Sequence, residues 1–177
     1  DNLFKRIIFN LEKFGVKSLF KYKKFLEQGI ETRLQCQGPL YKGEKTSLAG
    51  LKIDLSLRSD VCLPTDIKTI FPKYSDLPRF SVKVMNITEI LAEKIRAFLM
   101  REQARDLYDI WFLLNKNTKI DLELIKIKLK DYSQFKFKKT AILKLAQKLQ
   151  KVWIKDLSLM VQNPPPLKEV MRTIKII

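Results

Sequence analysis

Apolar residues recur along this chain with two different periods, and the change of period divides it. Residues 3–14 place Leu3, Ile7, Leu11 and Phe14 at helical spacing, and Gly15 is a natural stop. From Val16 the period shortens. Residues 17–26 and 30–37 contain strand-like runs separated near Gln28-Gly29, with a turn at Gln37-Gly38-Pro39. Residues 48–57 alternate: Leu51, Ile53, Leu55 and Leu57 share one face, Lys52, Asp54, Ser56 and Arg58 the other. Residues 63–80 predict a connection, because Pro64, Pro72 and Pro78 oppose a long helix. Ser81 to Met85 predict a short strand. Asn86 then opens a helix, with Glu89 three residues on as in a capping box.

The second half is helical. Between Glu89 and Leu114 the pattern predicts two apolar helical segments joined by a short, arginine-flanked turn. Ile87, Leu91, Ile95 and Phe98 form the stripe of the first, and Lys94 projects between Ile90, Leu91 and Phe98. The second, from Leu107 to Leu114, is apolar nearly all round and is expected to be buried, yet it contains Asp109. A lone buried charge is costly, so the simplest arrangement has Lys94 and Asp109 facing one polar site between the helices. Beyond Asn117, residues 121–131 predict a lysine-studded helix and 138–160 a longer one. In the latter, Ile142, Leu145, Ala146, Leu149, Val152 and Trp153 line an apolar stripe. Asn163-Pro164-Pro165-Pro166 breaks the chain, and residues 167–177 predict a last short helix. A strand-rich part over 1–85 and a helical part over 86–177 make an α+β arrangement.

Composition narrows the chemistry. The 177 residues suffice for one domain, or a domain with a helical extension, with 46% apolar and 31% charged side chains. No run of about 18 apolar residues predicts a membrane span. The two cysteines, Cys36 and Cys62, have no metal-like spacing and read as reduced residues of a cytoplasmic protein. There is no histidine, which excludes a Ser-His-Asp triad, a Cys-His pair and histidine zinc sites within this chain. Carboxylates, lysine, arginine, hydroxyls or a metal on oxygen ligands remain. The net charge is +16, and it is uneven: +5 over residues 1–60, +2 over 61–117 and +9 over 118–177. This suits a polyanionic partner such as RNA, DNA or an acidic protein, and equally a lysine-rich surface from a biased or thermophilic proteome.

The central segment resembles the signature of the AbiEii nucleotidyltransferase toxin family. Members show a Glu-x-x-x-x-Lys-x-x-Ala helix followed by an Arg-Asp-x-x-Asp helix, here Glu89, Lys94 and Ala97, then Arg105, Asp106 and Asp109. Gly38-Pro39-Leu40, the strand from Lys52 to Arg58, and Trp153…Leu157 followed by Asn163-Pro164-Pro165-Pro166 also sit where the family has similar features. The resemblance implies a polymerase-β-like nucleotidyltransferase core followed by a helical C-terminal part. It implies transfer from an NTP with Mg²⁺ to an acceptor, tRNA in some members, by a toxin with a cognate antitoxin. The family's first motif, a Gly-Ser turn followed by a metal-binding acidic strand pair, is expected upstream. No Gly-Ser and no Asp-x-Asp or Glu-x-Asp precedes the strand at 51–57. The chain, which begins Asp1-Asn2, therefore reads as the C-terminal portion of such an enzyme, with activity expected of the complete protein.

The resemblance assigns roles. Asp54 would be a late carboxylate of the metal cluster, or else an ordinary solvated strand residue. Lys94 would hold the triphosphate as a point charge, or else snorkel at a helix flank. Asp109 would orient Lys94 or contact the nucleotide, or else form a structural salt bridge. Arg105 and Asp106 would join the nucleotide site, although Asp106 also suits a helix N-terminus. Tyr132, Phe135, Phe137 and Trp153 lie among lysines, as stacking on RNA requires, but a core explains such spacing better. The reading from another class is a non-catalytic nucleic-acid-binding or protein-interaction module.

Overall fold

The computed structural model describes residues 2–27, 29–57, 61–130, 137–175 and 177. Its contacts divide the chain into two compact units, Asp1–Ser59 and Asp60–Ile177. Helices and antiparallel sheets are mixed, an α+β fold.

The first unit opens with helix α1 (Asn2–Lys13), which ends at Gly15 with φ +75°. That left-handed conformation suits a residue without Cβ. Strands β1 (Ser18–Leu26), β2 (Gly29–Cys36) and β3 (Ala49–Ser56) then form an antiparallel sheet in that order. The register pairs Glu31 with Asp54 and Leu34 with Leu51. Gly29 fixes it sterically, since a Cβ there would lie 2.7 Å from the carbonyl oxygen of Leu55. Phe4 of α1 packs edge-on against Phe20 of β1, and Leu34 and Cys36 are buried on β2. The alternation expected for 48–57 is present but shallow. Ile53 and Leu55 are half-buried while Leu51 and Leu57 are exposed, because β3 is an edge strand. Arg58, placed on its polar face, lies outside the described residues.

The second unit begins with a hairpin of β4 (Asp66–Ile70) and β5 (Phe80–Val84). The connection expected over 63–80 thus contains a strand. Its prolines flank the strand instead of interrupting it, so the ladder loses no donor. Among the described residues six helices follow: α2 (Ile87–Arg101), α3 (Ala104–Asn115), α4 (Leu122–Leu129), α5 (Lys139–Lys148), α6 (Trp153–Leu157) and α7 (Leu167–Ile174). The single helix expected over 138–160 is broken by a 3-10 turn at Leu149–Lys151. The turn keeps Ile142, Ala146, Leu149 and Trp153 in the core and leaves Val152 outside. Leu91, Ile95 and Phe98 of α2 meet Leu107 and Ile110 of α3 in that core. Helix α3 is less enclosed than its sequence predicts, since Phe112 is exposed.

Asn86 caps α2 as expected, accepting the Thr88 amide at 3.0 Å. Glu89 does not complete a capping box. Its side chain is fully buried and accepts the amides of Cys62 (2.7 Å) and Leu63 (2.8 Å) together with the ammonium of Lys128 on α4. Lys128 also lies 3.2 Å from Glu93, which in turn pairs with Arg96 at 2.7 Å. Lys128 is therefore a buried residue of the lysine-studded helix predicted over 121–131. Burial pushes the Glu89 carboxyl up, but Lys128 and the two amides outweigh it, and the group lies below its ordinary 4.5. Burial likewise pushes Lys128 down, but Glu89 and Glu93 outweigh it, and the ammonium lies above its ordinary 10.5.

Removing one partner of a buried pair strands the other. Lys128→Met is expected to destabilise the fold by about 3–5 kcal/mol, read from urea denaturation; a loss under about 1 kcal/mol would show that Glu89 finds water or another partner. The pH dependence has two arms. Glu89 is depressed in the fold, so its contribution is complete above its unfolded value and disappears as pH falls through its folded value, below 4.5. Lys128 is raised, so its contribution is complete below 10.5 and disappears as pH rises through its folded value. Denaturation midpoints measured across pH should fall at both ends, with Glu89→Gln flattening the acid arm.

Candidate functional site

Helices α2 and α3 pack on one another, joined by a turn of two residues after Arg101. Glu102 adopts the left-handed conformation (φ 50°) and returns its amide to the carbonyl of Phe98, closing α2. Across the turn, Arg101 grips Asp106 with two bonds of 2.7 Å, from Nε and from a terminal guanidinium nitrogen. Asp106 is wholly buried while Arg101 is 46% exposed. Asp106, then its charge and that of Asp109, holds the Arg101 guanidinium above its ordinary value. Asp106 thus has both oxygens engaged, and it can reach a ligand only through Arg101. Sequence reasoning missed Arg101. The signal was a basic last turn five residues before an acidic first turn.

The turn sets the two helices in register, and Lys94 meets Asp109 at 2.7 Å. The pair is neither core nor open surface, with side chains 33% and 37% exposed. The fully buried charges of this unit are instead Glu89, Asp106 and Lys128. Lys94 has three donors, and Asp109 takes one of them, so the ammonium retains capacity for a solvent-borne anion. Arg105 stands one helical turn before Asp109, exposed, with no ion-pair partner among the described residues. Tyr108 and Phe112 stack at 6.3 Å along the same face of α3. The arrangement offers cations at the rim of a helix pair, with carboxylates fixing their positions. It suits a phosphate-bearing ligand.

Asp54 lies in the first unit, on β3. Its side chain is 65% exposed, and Lys52 stands 3.4 Å from it and 3.1 Å from Glu31, its cross-strand partner. The Tyr22 hydroxyl donates to Glu31 at 2.9 Å. A hydrogen bond from Lys52, followed by that from Tyr22, holds the Glu31 carboxyl below its ordinary range. Two carboxylates thus face one cation position, and an ammonium supplies that charge. Among the described residues no group of three or more potential ligands is clustered for a metal ion, so these residues do not by themselves fit one.

Of the aromatics considered for stacking, Trp153 is buried and Phe137 packs against the same core. Tyr132 and Phe135 lie outside the described residues. Among the described residues neither cysteine forms a disulfide: Cys36 is buried, and burial pushes its thiol up, while Cys62 is exposed. Among the described residues no helix is long and apolar enough to cross a membrane.

Comparison with curated proteins and with solved structures found no match. A family model does match, over residues 2–173, and it describes the nucleotidyl transferase AbiEii toxin of the type IV toxin–antitoxin system. That family works with an NTP and a divalent metal. The match spans both units, including the Lys94–Asp109 pair and the Arg101–Asp106 clamp beside it, and the chain belongs to the AbiEii nucleotidyl transferase toxin family.

Proposed function

We propose that the chain holds the nucleotide in a nucleotidyltransferase that moves a nucleotide from an NTP to an RNA acceptor such as tRNA. The single observation that carries this reading is the half-exposed Lys94–Asp109 pair at 2.7 Å, beside an exposed Arg105 with no ion-pair partner among the described residues. Lys94 holds the triphosphate, and its charge offsets that of the leaving pyrophosphate. Asp109 is a positioning residue, fixing where the ammonium points. Arg105 takes a second phosphate contact, while Asp106 acts through Arg101. The acceptor hydroxyl attacks the α-phosphorus; a new phosphorus–oxygen bond forms as the bond to pyrophosphate breaks, and the hydroxyl proton passes to solvent water.

Mg²⁺ is the divalent ion assigned to accompany the nucleotide. Asp54, on the strand-rich part, residues 1–85, keeps Lys52 as its counter-ion. The helical part, residues 86–177, carries the nucleotide site. The protein works in the cytoplasm, against a cognate antitoxin.

Two experiments test the reading. Each labelled NTP, with Mg²⁺ and total tRNA, is incubated with the complete protein. Lys94→Ala and Asp109→Ala should each lower label transfer by about 10²-fold or more while the circular dichroism and melting curve persist. Full activity in the Lys94 or Asp109 variant sinks the assigned roles, and a folded protein that binds no NTP favours the non-catalytic interaction module. Acceptor binding should also weaken steeply between 50 and 200 mM salt, by about 10³-fold for six phosphate contacts. A flat salt response argues against a polyanionic acceptor.

A further inference from the structure

A cavity of about 810 Å³ opens in the second unit between the α5–α6 segment and the Pro164–Leu167 loop with α7. Its walls are apolar: Trp153, Pro164, Pro166, Leu167 and Met171. The loop wall is fixed, because the buried indole N–H of Trp153 donates to the carbonyl of Pro165 at 2.7 Å. Along one edge run Lys168 and Arg172 of α7 and Lys175, which caps it. Spaced four and three residues apart, they form one stripe about 10 Å long on the helix. Among the described residues no carboxylate lines the cavity, and neither Lys168 nor Arg172 has an ion-pair partner. The opposite edge carries the exposed amides of Gln147 and Gln150, which both donate and accept.

We infer that this cleft binds single-stranded RNA, one base against the apolar wall and the neighbouring phosphates on the α7 stripe. For the choice of RNA it rests on the acceptor reading above, and the glutamine amides supply partners for a 2′-hydroxyl. Charge complementarity favours a polyanion over a short acidic peptide. A peptide would use only the local stripe, whereas a strand leaving the cleft meets further positive surface on a chain of net charge +16. The site is distinct from Lys94 and Asp109, and nothing in its walls performs chemistry.

Trp153 is a built-in reporter. The chain has two tryptophans, and Trp111 makes no hydrogen bond through its indole nitrogen among the described residues, so Trp111→Phe isolates the signal. A single-stranded RNA 12-mer should change Trp153 fluorescence saturably, in the absence of NTP, so binding is read independently of transfer. Charge reversal at exposed positions keeps the fold. Lys168→Glu with Arg172→Glu should weaken binding by roughly tenfold or more and flatten the salt dependence. Lys155→Glu, exposed on α6 and not among the residues lining the cleft, should change it by less than about threefold. Equal weakening by Lys155→Glu, wild-type affinity in the double variant, or an unchanged Trp153 signal would each overturn the cleft. Tighter binding of the same-sequence DNA, or displacement of RNA by an equimolar poly-glutamate peptide, would overturn RNA as its occupant.

Discussion

The ion pair of Glu89 with Lys128 constrains everything built on α2. Glu89 stands in the first turn of that helix, and it binds three donors from two other parts of the chain. A buried carboxylate with all its donors in place has one acceptable orientation, so the helix cannot rotate about its axis without breaking them. At the far end of α2, Arg101 grips Asp106 bidentately. The helix is held by charge at both ends. Lys94 lies between the two anchors, where a small rotation would swing its ammonium away from Asp109.

The charges of the helical unit therefore fall into two kinds. Glu89, Asp106 and Lys128 are enclosed, and their pairing is part of the packing. Lys94, Arg105, Lys168 and Arg172 reach solvent and keep capacity for a group from outside, Lys94 even while paired with Asp109. Asp109 belongs to neither kind wholly, since it is half-exposed yet serves to hold Lys94. Site and scaffold are thus interleaved along the same two helices. Enclosed pairs resist motion, and exposed cations inherit that rigidity without the desolvation that burial imposes.

Much of this was legible in the sequence. Helical spacing located α1, α2, α3 and α7, alternation located β3, and Asn86 marked the start of α2. The Lys94–Asp109 contact followed from two charges set among apolar neighbours. What escaped was longer-ranged. Glu89 fits a capping box by spacing, and only the arrival of Lys128, 39 residues later, turns it inward. Lys128 itself sits among lysines that look alike in sequence, and no local pattern separates the one that is enclosed. The 3-10 turn after α5 escaped for a related reason. Periodicity cannot distinguish a straight helix from two short ones that keep the same residues inside. The β4 strand was hidden by the prolines on either side of it.

The span of the Glu89 network also bears on how the protein is made. A ribosome releases Cys62 and Leu63 first, Glu89 next and Lys128 last. Until Lys128 emerges, the Glu89 carboxylate has amide partners but no counter-charge, and it stays solvated instead of entering the core. The nascent α2–α3 pair can form, yet its enclosure waits for α4. Folding of the helical unit is thereby coupled to completion of a late segment, and a chain interrupted before residue 128 leaves an open, hydrated edge where the finished protein is sealed.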